Sequence, residues 1–117
     1  MSASGLARLV GGVRVAVGAA LVARPAMAGA QDATSRLLVR TIGVRDVALG
    51  LGTLSAGRGG RTGWMRAGLG SDVADVALAV GSGRGLGAGR LVAVLAPLPM
   101  IAAGIAHQRA VRAGPKR

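Results

Sequence analysis

Several residue types that carry chemistry or build soluble cores are missing from this chain. Its 117 residues include no Cys, Phe, Tyr or Glu, and Trp64 is the single aromatic residue. Without cysteine there is no disulfide, no thiol nucleophile and no cysteine-ligated zinc. The lone histidine, His107, has no second histidine with which to share a metal. The sequence therefore predicts no metal site, no cofactor and no catalytic residues, and favours a protein that is not an enzyme.

Small and aliphatic residues supply most of what is present. Hydrophobic types make up 51% of the chain, Gly contributes 21 residues, and the mean hydropathy is +0.53. Aromatic side chains bury the most area each, so a core without them is thin for a water-soluble domain. Small residues let helices approach closely in lipid. The composition therefore favours one small helical membrane domain.

The charge balance is strongly basic, with 15 Lys and Arg residues against four Asp, for a net charge of +11. Nucleic acid is the first partner that such a charge suggests. The arginines, however, are scattered singly through apolar stretches, and no aromatic residues alternate with them for base stacking. Basic residues that flank membrane spans explain the pattern better. We expect the lipid bilayer as partner and no nucleic acid, and the sequence leaves open a second copy of the chain or another membrane protein.

Four apolar segments, at about residues 4–23, 36–56, 62–81 and 89–107, are each close to the length of a membrane-spanning helix. Short Gly-rich breaks between them suit tight turns. Small residues recur at four-residue spacing, as in Gly12, Ala16 and Ala20, which favours close helix packing. We predict an all-α fold, an antiparallel bundle of four transmembrane helices formed by residues 1–108, followed by a basic tail at 109–117.

The distribution of basic residues predicts the orientation. With four spans, both termini share a side, and that side holds seven basic residues against four on the other. The seven are Arg8, Arg58, Arg61, Arg109, Arg112, Lys116 and Arg117. We expect a multi-pass protein of the cell (inner) membrane with both termini in the cytoplasm.

Residues 1–30 also fit a secretory signal peptide. Arg8 and Arg14 would form its basic region, and residues 28–30 read Ala-Gly-Ala, a small-residue cleavage site. Cleavage would leave a three-helix membrane protein. Arg24, just before that site, favours a retained first helix instead.

The most informative feature is the position of the acids. Asp46, Asp72 and Asp75 lie inside apolar segments, and Arg14 and Arg45 lie at similar depth. A charge that faces lipid at a helix centre costs about 2.5–3.5 kcal/mol on insertion scales, so we expect these five residues to face inward and pair. We call them the Arg/Asp layer. Its net charge of −1 with all groups ionised predicts either a plain salt-bridge network that sets helix register or a site for a proton or cation.

Four further features concern the second half of the chain. Pro97 and Pro99 fall near the centre of the fourth segment, where a proline predicts a kink. Trp64 lies between two arginines and is typical of an interfacial anchor, and His107 at the end of the last span is expected to be an interfacial side chain. Residues 83–88 fit G-x-G-x-x-A, but no acidic residue follows for a nucleotide ribose, so a dinucleotide site is not expected.

Taken in order, these motifs resemble small bacterial four-helix membrane proteins of unknown function in the neighbourhood of the DoxX-like families. The residues that carry the resemblance are Pro25, Gly43-Val44-Arg45-Asp46, Gly57-Arg58, Trp64 and the Asp72/Asp75 pair. The resemblance implies a four-helix fold and an accessory role near a respiratory or quinone-linked redox system.

Three functions remain open from the sequence. The first is a structural or accessory membrane protein held together by the Arg/Asp layer. The second is a protein that handles a proton, a cation or a small ligand at that layer. The third, a soluble basic binding module, is opposed by the hydropathy.

Overall fold

The computed structural model describes residues 1–81 and 95–114, and in those ranges the chain is helical, with no strand. The described residues form four α-helices, and the connection between the first two contains a 3-10 turn at Pro25–Ala28. The helices are α1 (Ala3–Ala23), α2 (Ala33–Ser55), α3 (Arg58–Gly81) and α4 (Leu98–Ala113). The predicted all-α class is confirmed. The start of the predicted span 89–107 and residues 115–117 of the basic tail lie outside the described residues.

Local capping explains where the first two helices begin. The Ser2 hydroxyl accepts a hydrogen bond from the backbone N–H of Gly5, at 3.0 Å. The Asp32 carboxylate accepts one from the N–H of Ser35, at 2.9 Å. Side-chain oxygens at these positions satisfy N–H groups that have no partner within the helix. As a result, α2 begins three residues before the predicted span.

The helices alternate in direction along the bundle. Helix α1 packs most extensively on α2, while α4 packs on both α1 and α3. The His107 ring lies 2.9 Å from the carbonyl oxygen of Ala3, so the last turns of α4 lie beside the start of α1. Ser4 accepts a hydrogen bond from Arg61, which brings the start of α3 to the same end. The beginning of α1 and the end of α4 thus share one end of the bundle.

The α1–α2 contact is made by glycines spaced seven residues apart. Gly11 and Gly18 of α1 face Gly50 and Gly43 of α2, respectively, and the backbones touch there. The predicted stripe at four-residue spacing is not the packed one, because Gly12 is exposed and a β-carbon there would meet nothing within 4 Å. The glycine that contacts α2 is Gly11, one position from Gly12. Adjacent positions of a helix lie on different faces.

Pro97 and Pro99 lie at the beginning of α4. Residues 82–94 lie outside the described part of the chain, so the structure does not describe a helix on both sides of these prolines. Pro97 is the N-cap residue, and Pro99 is in the first turn. The first turn tolerates proline because its N–H groups have no intrahelical partner there. A kink between two helical halves stays a prediction, since the earlier part of that span lies outside the described residues.

The described residues bury charged side chains and expose large apolar ones, which is the reverse of a water-soluble bundle. We call this pattern inverted burial. The buried side chains include Arg14, Arg61, Asp72 and His107, whereas half of the six buried hydrophobic residues are alanines. Large aliphatic side chains point outward. They include Leu9, Leu37, Leu38, Val44, Leu51, Leu78 and Val80, each more than half exposed.

Within the described ranges, α1 is the helix that is long and apolar enough to cross a membrane by length and composition. Helix α4 is 16 residues long as described. Helices α2 and α3 carry four of the five charges of the Arg/Asp layer and several further arginines. These charges lower the hydropathy of both helices.

Candidate functional site: the Arg/Asp layer

Arg14 is the centre of the Arg/Asp layer. It lies on the buried face of α1 and bonds to Asp72 of α3 through Nη2, while Nη1 lies 3.2 Å from Oδ1 of Asp46 on α2. Gly68 makes room for the guanidinium, since a β-carbon there would lie 3.0 Å from Nη2. One side chain of α1 therefore joins the two helices that follow it.

Arg45 forms the second half of the layer. Its two terminal nitrogens meet the two carboxylate oxygens of Asp75 at 2.9 and 2.7 Å, a bidentate pair between α2 and α3. Nη2 also lies 3.2 Å from Oδ1 of Asp46. The Nε of Arg45 is buried and has no hydrogen-bond partner in the described part of the chain.

The five groups form one alternating chain, in the order Asp72, Arg14, Asp46, Arg45, Asp75. Asp46 is the shared link, because the same oxygen accepts from both arginines. Burial falls along the chain: the Arg14 and Asp72 side chains are 4% and 5% exposed, and those of Arg45 and Asp75 are 31% and 28% exposed. Three carboxylates against two guanidiniums leave a net charge of −1 when all are ionised.

A cavity of about 190 Å³ adjoins this network. All five layer residues line it, and Pro97 and Met100 at the start of α4 close one side, together with apolar side chains of α1 and α2. Such a volume is large enough for a few water molecules or a small ion. The two arginines can neutralise two of the three carboxylates, and the arrangement places the remaining negative charge beside a space that can hold a solute.

The carboxylates of the layer are already paired with arginines. In residues 1–81 and 95–114, no three His or Asp side chains are grouped so that they could hold a metal ion.

The structure brings together all five residues that the sequence selected for the layer. The partners could not be assigned from the sequence, because they depend on how each helix is rotated. Trp64 is 41% exposed and its ring packs against Gly52 of α2. Its position relative to a membrane interface stays a prediction.

Arg61 has a structural role that the sequence pattern does not indicate. It is 8% exposed, and its guanidinium donates to the carbonyl oxygens of Thr53 and Ala56 at 3.2 and 2.8 Å. It also donates to the hydroxyl of Ser4 at 2.8 Å. Arg61 thus closes the last turn of α2, where carbonyls lack helical partners. Only its place five residues after the predicted end of that span could have indicated this.

His107 of α4 is 3% exposed and its ring lies against the first turn of α1. Its predicted position at a membrane interface stays a prediction. Nothing in the sequence around His107 indicates that burial.

In comparisons with known proteins, no protein-family model matches the chain, and no curated protein or solved structure matches it.

Proposed function

We propose that this protein is a small multi-pass integral membrane protein of structural or accessory function, in which the Arg/Asp layer locks α1, α2 and α3 together. The observation that carries the proposal is the inverted burial, with ionic side chains inside the bundle and leucines and valines outside. In water such a surface would expose most of the large apolar side chains. In lipid it is the expected arrangement, because charged groups are costly there unless they face the bundle interior and pair.

The proposed topology has four spans with both termini in the cytoplasm. The beginning of α1 and the end of α4 lie together at one end of the bundle, as that topology requires. A retained first helix is favoured over a cleaved signal peptide, because α1 supplies Arg14 and packs closely on α2.

The accessibility of introduced cysteines tests the topology. Because the chain has no native cysteine, any labelling reports the introduced residue. Single cysteines at Ser2 and Gly57 would report one end of the bundle, and a cysteine at Gln31 the other. In intact cells a membrane-impermeant maleimide should label Gln31→Cys alone, and alkali washing should leave all three variants in the membrane. Labelling of all three sites, or release by alkali, would contradict the proposal.

A double-mutant cycle on Arg45 and Asp75 tests the structural lock. Arg45→Gln leaves the layer with two excess carboxylates, and we expect a lower thermal midpoint in detergent and a lower folded yield. The loss of unfolding free energy should lie between the roughly 1 kcal/mol of an exposed ion pair and the roughly 3–5 kcal/mol of a buried one.

The double variant Arg45→Gln/Asp75→Asn should recover part of that loss, because it removes the carboxylate that lost its partner. Arg36→Gln, on the exposed part of the same helix, is the matched control and should behave as the unchanged chain. Asp75→Asn alone completes the cycle, and if the losses in the two single variants simply added up in the double variant, the two side chains would not be coupled and the layer would not act as a lock.

A second candidate function is the binding of a small cation or proton at the layer. The observation that favours it is the cavity beside a cluster of net charge −1. We would compare thermal midpoints in sodium, potassium and choline chloride at one ionic strength, since a ligand that binds the folded state raises the midpoint.

Stabilisation by sodium or potassium over choline should disappear in Asp75→Asn and persist in Asp32→Asn, an exposed carboxylate at the N-cap of α2. Equal midpoints in all three salts would exclude sodium and potassium as ligands and leave the structural role.

A further inference from the structure

A second cavity, of about 380 Å³, lies at the end of the bundle where the beginning of α1 meets the end of α4. We call it the terminal cavity. Residues of three helices line it. They include Ser2, Ser4, Arg58, Arg61, Thr62 and His107.

The charge around the terminal cavity is positive and has no acidic side chain to balance it. Three of the four Asp residues of the chain belong to the Arg/Asp layer, and Asp32 is the N-cap of α2. None of the four lines this cavity. Arg61 is buried, yet its described partners are neutral oxygens alone. A buried cation without a counter-charge is costly, which favours an anion nearby.

Two helix N-termini add to this positive field. Helix α1 begins at Ala3, after the N-cap Ser2, and α3 begins at Arg58. The N-terminal ends of helices carry a partial positive charge and free N–H groups, both of which favour anions. Each helix contributes its first turn to the wall of the cavity.

His107 supplies the observation that points to a ligand. Its Nδ1 lies 2.9 Å from the carbonyl oxygen of Ala3, and a carbonyl oxygen accepts only, so Nδ1 carries a hydrogen. The other ring nitrogen, Nε2, is buried and has no hydrogen-bond partner among the described residues. Buried polar atoms are nearly always partnered, so this nitrogen calls for a group from outside the described chain.

We propose that the terminal cavity binds a phosphate group, with Arg58, Arg61 and His107 as its main contacts. Phosphate suits the donors present, because arginine pairs with it in a planar, bidentate way. The Nε2 atom can accept from a phosphate hydroxyl when bare or donate to a phosphate oxygen when protonated. Free phosphate and a lipid headgroup share this chemistry and differ in whether the group keeps a hydroxyl.

The test uses the full chain in an uncharged maltoside detergent and titration calorimetry with two probes. Inorganic phosphate carries a hydroxyl, and diethyl phosphate imitates the diester of a lipid headgroup. Saturable binding of at least one probe is expected. Binding of inorganic phosphate alone would identify a free phosphate or monoester site, and comparable binding of diethyl phosphate a lipid headgroup site. No binding of either probe would overturn the proposal.

Two variants locate the binding. Arg58→Gln removes an exposed arginine with no described ion pair, so the fold should be unaffected. We expect about tenfold weaker binding, the usual effect of losing one charged hydrogen bond. His107→Asn should have a similar effect, because the Asn amide can take the place of Nδ1 against Ala3 and leaves no equivalent of Nε2.

Arg66→Gln is the matched control, since Arg66 is an exposed arginine of the same helix that does not line the cavity. Its affinity should equal that of the unchanged chain. An equal loss in Arg66→Gln and Arg58→Gln would mean diffuse attraction to a basic protein and would overturn the site, as would undiminished binding in Arg58→Gln.

Discussion

The carbonyl oxygen of Gly18 lies so close to Gly43 that no side chain fits between the first two helices: a β-carbon built on Gly43 would be 2.6 Å from it. The same holds one heptad away, where a β-carbon on Gly50 would lie 2.6 Å from the Gly11 carbonyl oxygen. The α1–α2 contact is thus a contact between backbones. Because α1 carries Arg14, this contact also sets how far the guanidinium reaches toward α3.

Gly43→Ala should therefore destabilise the protein. The new methyl group meets backbone rather than a movable side chain, so the helices must separate, and overpacking of this kind typically costs about 1–3 kcal/mol. Thermal unfolding in detergent measures the effect. Gly12→Ala is the control: it lies in α1 with open space around it, and we expect no loss, since alanine is the better helix former. Equal losses in the two variants would argue against backbone contact as the cause.

Arg61→Gln should weaken the junction between α2 and α3. The substitution removes charged hydrogen bonds to Thr53 and Ala56 and leaves the last carbonyls of α2 without that partner. We expect a loss of about 3 kcal/mol in unfolding free energy and faster amide hydrogen exchange in the last turn of α2. Arg66→Gln should leave both unchanged. Normal exchange protection in Arg61→Gln would contradict the capping role.

Gly52→Ala should displace the Trp64 ring. A β-carbon at Gly52 would lie 2.5 Å from Cε2 and Cε3 of that ring, so the indole must move off the α2 surface. Since Trp64 is the only tryptophan, its fluorescence reports the change directly, and we expect a shifted emission maximum and stronger quenching by acrylamide. Gly63 is the neighbour of Trp64, and a β-carbon there would meet no atom within 4 Å. Gly63→Ala should therefore leave the spectrum unchanged, and an equal shift in both variants would contradict the contact.

The carboxyl group of Asp32 should titrate below its ordinary range. Hydrogen bonds from the Ser35 hydroxyl, and then from the Ser35 backbone N–H, lower the pKa of Asp32. A lowered pKa in the folded state means that its contribution to stability is present above the unfolded value of about 3.9 and is lost as the pH falls through the folded value. Carbon-13 NMR titration measures this pKa directly.

Ser35→Ala should raise the Asp32 pKa toward its ordinary value, because the largest of these hydrogen bonds is removed. Thr34→Ala removes a neighbouring hydroxyl that makes no described bond to Asp32 and should leave the pKa in place. A pKa of Asp32 that does not respond to Ser35→Ala would contradict the cap geometry.

Local features of the sequence are enough to predict the helical class, the positions of α1 to α3 within a few residues, and the five members of the Arg/Asp layer. Long apolar segments separated by glycine and proline specify helices locally. Charges inside such segments must find partners whatever the details of packing. The capping role of Asp32 lay within reach of the sequence too, since capping is a local interaction.

The tertiary structure, unlike the sequence pattern, defines which helix faces meet. It paired Arg14 with Asp72 and Arg45 with Asp75, placed Gly43 rather than a residue of the four-spaced stripe against α1, and buried Arg61 and His107 at the end where α1 begins. Rotation by one residue turns a helix by about 100°, and no feature within a single helix selects that rotation. It is selected by contacts between helices, where backbone fits against backbone and each buried charge reaches its partner.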